Sequence, residues 1–266
     1  MDSGENWNQN SIFGNHRREN TKNLTDSLFI DSRLGFQYNN KGKGLYGFGH
    51  FSYKSNFYGY LYSRIINSAE FFERYSGIER DISRFGFTSG ETDQSGICYE
   101  SDWLIFQFGR GRECWGAGND IQLGLNENSY AYDYGVLDLD FGKLRVRYFN
   151  GYLETDSLFV SRYITGRGIE WNNEKNFLFG LSEVVIYSGL NRAIDFSYLN
   201  PISTHLEIEL NDKQNDLGSD NGNGVWQLSM DYLMMSNYRI SFNYLLDELV
   251  LDQEQKDANK NSEGGY

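Results

Sequence analysis

Residues 225–246 read VWQLSMDYLMMSNYRISFNYLL, and the alternation inside this stretch decides the fold class. Trp226, Leu228, Met230 and Tyr232 fall on one parity, with Gln227, Ser229 and Asp231 on the other. Successive side chains of a strand point to opposite faces, so this is the pattern of a two-faced strand. After Met235-Ser236-Asn237 the pattern resumes, with Tyr238, Ile240, Phe242 and Tyr244 set against Arg239, Ser241 and Asn243. Two such runs across a short polar connection predict an antiparallel hairpin.

A second hairpin is predicted from Val136 to Phe141 and from Leu144 to Phe149, across Gly142-Lys143. Its apolar face carries Leu137, Leu139, Phe141, Leu144, Val146 and Tyr148, and its polar face Asp138, Asp140, Arg145 and Arg147. Similar alternation marks 28–38, 45–53, 57–66, 103–110, 163–171, 177–187, 194–198 and 206–210, with a shorter run at 96–99. Roughly a dozen strands at this spacing predict an all-β, up-and-down antiparallel sheet that sandwiches or closes. The stretch 68–84 reads as one or two helical turns between strands. Residues 1–26 form a polar lead-in, 27–250 the β domain, and 251–266 a polar tail or the start of a continuation.

Which face meets water separates the remaining classes. The apolar parity is crowded with Tyr, Trp and Phe near strand ends, while the polar parity carries charges of both signs. A transmembrane β-barrel, complete or partial, fits this with an apolar outer band, aromatic girdles and a polar lumen. A soluble two-sheet protein gives the same alternation and stays open as a rival. No window offers the roughly 18 apolar residues of a membrane helix, a test to which barrels are blind.

Composition narrows the partners. In 266 residues, 24 Lys and Arg stand against 37 Asp and Glu, a net charge of −13, which argues against nucleic acid as a partner. Aromatic residues make up 17% of the chain and proline occurs once, so a packed, strand-rich fold is expected rather than disorder. Two cysteines, Cys98 and Cys114, are too few for a disulfide scaffold and lack zinc spacing. The opening MDSGEN has neither the basic nor the apolar segment of a secretory signal. It is expected to belong either to a cytoplasmic protein or to a chain whose natural start lies upstream.

Catalytic motifs are thin. Gly42-Lys43-Gly44-Leu45-Tyr46-Gly47 matches the dinucleotide string, but a strand follows where a helix is required, so a turn and room for neighbouring rings are expected instead. His16, His50 and His205 stand alone, without a G-x-S-x-G elbow or an HExxH string. Asp138 with Asp140, or Glu207 with Glu209, would project from one strand face as a glycosidase pair; on a polar face such residues are usually just solvated. The loop 211–224, with Asp212, Asp216, Asp220 and several Asn, offers oxygen ligands for calcium without EF-hand spacing. No cofactor or metal is expected.

The most distinctive stretch is GRGRECWGAGND, 109–120, directly after an aromatic strand. Arginine forks and an indole face suit a sugar ring bearing acidic groups. The other reading is an inward loop that plugs a lumen, its arginines paired with wall carboxylates such as Asp138 and Asp140.

From these residues onward the chain resembles the capsule-assembly Wzi-like outer-membrane family, in its Bacteroidetes form. The resemblance lies in GRGRECWGAGNDIQLGLNENS (109–129), YDYGVLDLDFGKLRVRYFNGYL (132–153), RYITGRGIEW (162–171), LSEVVIYSG (181–189), FSYLNP ending at Pro201, and LLDEL (245–249). It covers roughly residues 95–250, and more loosely the chain from Ser27. It implies a non-enzymatic barrel in the outer membrane, in contact with its lipid, that helps assemble or hold capsular or other surface polysaccharide as a lectin-like binder. By matching position it carries over Arg110, Trp115, Gly116, Gly118, Glu183 and Asn200 with Pro201. Members normally carry a signal peptide and further hairpins after the LLDEL region, so this chain is expected to be a partial one. Together with Arg112 and the polar-face residues Asp138, Asp140, Arg145 and Arg147, these form the candidate ligand-binding set. The rival functions are a pore or transporter for small solutes, and a soluble β carbohydrate-active enzyme.

Overall fold

The structure is a computed structural model that describes residues 11–13, 28–38, 40–54, 56–72, 74–75, 77–118, 122–210, 222–235 and 238–247, with the backbone of 263–265. It is all-β. Eleven long strands run β1 Phe29–Tyr38, β2 Lys43–Tyr53, β3 Phe57–Asn67, β4 Ser89–Glu100, β5 Leu104–Gly111, β6 Tyr132–Asp140, β7 Leu144–Thr155, β8 Val160–Asn172, β9 Phe177–Leu190, β10 Gly222–Met234 and β11 Tyr238–Asp247. A three-residue β12, Glu263–Gly265, pairs with the end of β11. The strands lie side by side in chain order, with antiparallel pairing in β1–β2, β8–β9 and β9–β10 among others. Among the described residues β1 pairs with β2 alone, and no pairing closes the sheet.

Short polar side chains make the turns. At β8–β9, Asn173 Oδ1 accepts the backbone N–H groups of Lys175, Asn176 and Phe177 at 2.9 Å each. At β7–β8, Asp156 accepts from Leu158 and Val160. At β6–β7, Asp140 Oδ1 accepts from Gly142, whose φ of 82° fits the glycine.

Two expectations change, and the one or two helical turns expected in 68–84 come down to one. Residues 194–198 and 206–210 are not strands: 194–195 lead into the helix α1 Phe196–Leu199, which holds 196–198, and 206–210 fall on α2 His205–Leu210. Asp195 caps α1 through the Ser197 N–H, and Thr204 caps α2, its hydroxyl accepting from the Glu207 N–H at 3.3 Å. Thr204-x-x-Glu207 is a capping-box spacing, which outranks a brief alternation. Glu207 and Glu209 therefore stand two apart on a helix, so the expected placement on one strand face does not hold. The run 96–99 is the end of a twelve-residue β4. In 68–84 the helical content is a single 3-10 turn, Ala69–Phe71.

The chain divides into two compact units, Met1–Arg17 with Glu113–Asn126 and Val136–Tyr266, and Arg18–Arg112 with Glu127–Gly135. In the first, the polar parity is the covered one: Asp138, Arg145, Arg147, Glu170, Ser229 and Asp231 are each 1–2% exposed. The apolar parity is open, with Phe141 at 58%, Ile169 and Trp171 at 44% and Phe242 at 43%. Along Ile164–Arg167 and Ser182–Val185 both parities are buried, so this part of the sheet is covered on both sides. One cover is α1 and α2, whose Tyr198 and Ile208 pack with Val185 and Tyr187. In the second unit Ile30, Leu34, Phe36, Leu61, Ile97 and Phe108 are exposed, while Cys98 and Tyr134 on the opposite parity are buried.

Candidate functional site

The covered polar face of the first unit is where most candidate residues meet. β6 and β7 place Asp138, Arg145 and Arg147 on one side of their hairpin, as the alternation predicts. Arg145 Nε donates to Asp138 Oδ1 at 2.8 Å, and Arg147 Nη1 to Asp138 Oδ2 at 2.5 Å. The opposite end of the Arg147 fork is taken by Glu113, with Nε and Nη2 each 2.8 Å from its carboxylate. Trp115 Nε1 donates to the same carboxylate at 2.8 Å. Farther along, Arg145 Nη1 donates to Ser11 Oγ, which donates to Glu170 Oε2 at 2.8 Å; the Ile12 N–H also donates to that oxygen.

The sheet therefore supplies the arginine, Arg147, and the loop the acid, Glu113, the reverse of the pairing expected for a plug. Glu113, absent from the candidate set, is 2% exposed and receives both a guanidinium and an indole. The sequence shows it only as an acid flanked by Arg112 and Cys114. Trp115 is 1% exposed and meets Phe13 and Phe149 edge-on at 4.9 and 5.3 Å. Its ring is inside the fold, where both neighbours are protein.

β10 and β11 hold the far side of the loop by its backbone. Asn243 makes a two-way contact with Ala117, accepting from its N–H at 2.8 Å and donating to its carbonyl at 2.7 Å. Gln227 accepts from the Gly124 N–H and donates to the Trp115 carbonyl. Gly116 donates to the Ile12 carbonyl at 2.8 Å. At Gly118, φ is 84° and a Cβ would sit 3.0 Å from Ser241, so glycine serves conformation and approach together. The loop is thus fastened by charge at β7, through Arg147, and by amides along β10 and β11.

The remaining candidates lie elsewhere. Arg110 and Arg112 belong to the second unit, where Arg110 pairs with Asp133 at 3.1 Å and Arg112 with Asp93. Asp93 is the residue skipped where the β3–β4 register shifts at Tyr62/Ser63, and the bulge aims it between Arg112 and Arg64. Arg64 also pairs with Glu91 and lies over the Tyr75 ring at 5.5 Å. Burial pushes the Tyr75 phenol up, so it stays a donor to Ser89 Oγ. Neither arginine pairs with Asp138 or Asp140; Asp140 serves the β6–β7 turn. Glu183 accepts from the His205 N–H at 3.0 Å, at the start of α2, and faces Arg167 at 3.3 Å. Asn200 follows α1, donates to Ser203 and offers its carbonyl to Arg167. Both hold the helix pair.

The calcium-ligand loop lies, apart from 222–224, outside the described residues, as do Asn119 and Asp120. Among the described residues no group of three metal-ligating side chains occurs, and no helix is long and apolar enough to cross a membrane. No protein-family model and no curated protein sequence matches the chain.

Proposed function

We propose that this chain is a non-enzymatic outer-membrane β-sheet protein, a barrel or a large part of one, that helps assemble or retain capsular or other surface polysaccharide. The observation that carries the reading is the inversion of the two faces. Aromatic and aliphatic side chains such as Phe141, Ile169 and Phe242 stand exposed while Asp138, Arg145, Arg147 and Glu170 are buried. Burying apolar area is worth about 25 cal/mol per Å², so a water-borne sheet gains by the opposite arrangement. In lipid the exposed set is the solvated one. The polysaccharide role comes from the resemblance to the Wzi-like family.

The fastened loop bears on the rival pore. With Trp115 and Glu113 packed against the polar face, the expected behaviour in planar bilayers is silence; discrete conductance steps would favour a solute channel. The decisive experiment is deletion of the encoding gene in an encapsulated host. Cell-bound polysaccharide should fall and released polysaccharide rise in the medium. Unchanged cell-bound capsule overturns the role.

A further inference from the structure

Arg110 does not face the covered side of its sheet. It lies two residues beyond Phe108 on β5, and so shares the open apolar face with Phe108 and, on β4, with Ile97, both 63% exposed. Its guanidinium donates through Nε to the Thr92 carbonyl at 3.0 Å and through Nη1 to Asp133 Oδ2 at 3.1 Å. Both charges keep access to the outside, the Arg110 side chain at 28% and that of Asp133 at 58%. Beside this ion pair is a hollow of about 470 Å³ lined by Ile97, Phe108, Gly109, Arg110 and Asp133 among others. Gly135 leaves the neighbouring position on β6 bare: a Cβ there would find nothing nearer than 3.9 Å.

An ion pair half open to the outside, set at the border of an apolar hollow on a lipid-type face, has the layout of an amphiphile's complement. We infer that this hollow holds one zwitterionic phospholipid with a primary ammonium, of the phosphatidylethanolamine class. Its phosphate sits on Arg110, its ammonium on Asp133, and an acyl chain lies along Ile97 and Phe108. The inference rests on the membrane reading above and assigns Arg110 to lipid rather than to sugar. The two charges argue for this headgroup over others. A purely anionic lipid would meet the Asp133 carboxylate with no cation to offer it, and a quaternary choline has no N–H to donate.

The test uses the full chain in detergent, stripped of lipid and titrated with short-chain phosphatidylethanolamine, phosphatidylcholine or phosphatidylglycerol, with bound lipid counted by native mass spectrometry. Phosphatidylethanolamine should be retained about threefold better than either other lipid, the scale of a partly exposed charge contact. Arg110→Gln should lower retention of all three lipids and Asp133→Asn should abolish the preference, while Arg162→Gln, which alters an exposed pair elsewhere, should leave both unchanged. Equal retention of the three lipids, or a preference that survives Asp133→Asn, overturns the inference while leaving the membrane reading intact. A phosphatidylglycerol preference lost only in Arg110→Gln also overturns it, in favour of a simple anion contact. A chain that stays monodisperse in buffer without detergent overturns both.

Discussion

Glu113 is the acid on which the loop's attachment turns, since Arg147 and Trp115 both donate to it from buried positions. Replacing it by Gln keeps the shape and removes the charge, leaving the Arg147 guanidinium buried with part of its compensation gone. Breaking a buried pair this way costs about 3–5 kcal/mol. The Glu113→Gln protein should therefore show a clearly lower urea midpoint in detergent micelles. Trp115→Phe removes a donor but keeps a ring against Phe13 and Phe149, so its loss should be nearer 1 kcal/mol. An inverted order of the two effects would mean that the indole, and not the ion pair, fixes the loop. Gly109 gives a sharper case: a Cβ there would lie 2.1 Å from the Ser95 carbonyl oxygen, a backbone atom with little room to move. Gly109→Ala should split the β4–β5 pairing, seen as faster amide exchange along Ile97 and Phe108. At this scale the sequence marks Arg, Trp and Gly in 109–120 as unusual. It does not show which charge meets which, because Arg147 and Glu113 are neighbours only once β6 and β7 have folded beside the loop.

Elements fall into those that announce themselves and those that do not. The hairpin β10–β11 follows its alternation residue by residue, Trp226 opposite Leu246 and Met230 opposite Phe242. α1 and α2, four and six residues long, are shorter than any window in which a 3.6-residue period stands out. The cap Thr204-x-x-Glu207 was the available signal for the second. Ile12 and Phe13, buried at 2% and 1%, sit in a mostly polar stretch with no apolar period in either register, so no periodicity points to them. The amide fastening of the loop makes its own prediction. Asn243→Leu should free the Ala117 amide and speed its exchange, while β10 and β11 keep their protection. If protection is lost across both strands instead, Asn243 is holding the sheet rather than the loop.

For the molecule, alternation defines two faces and is silent on which is covered, since a pleated strand reads the same inside out. The exposed set turns that silence into an experiment. Ile169→Lys should reduce the folding free energy measured in lipid vesicles by about 2–4 kcal/mol if the position lies at the bilayer midplane. In a water-borne protein the same change at a 44% exposed site would be neutral or would raise solubility. One contact also sets an order of events in time. Ser11 and Ile12 reach Glu170 across 159 and 158 residues. Closing so long a loop brings an entropic cost before any contact compensates it, and Glu170 is in place only after β8 has paired with β7 and β9. The segment 11–13 is thus expected to arrive last during folding. Being attached late, it is also the place where unfolding should begin, with the Ser11–Glu170 contact opening while the strands behind it are still paired.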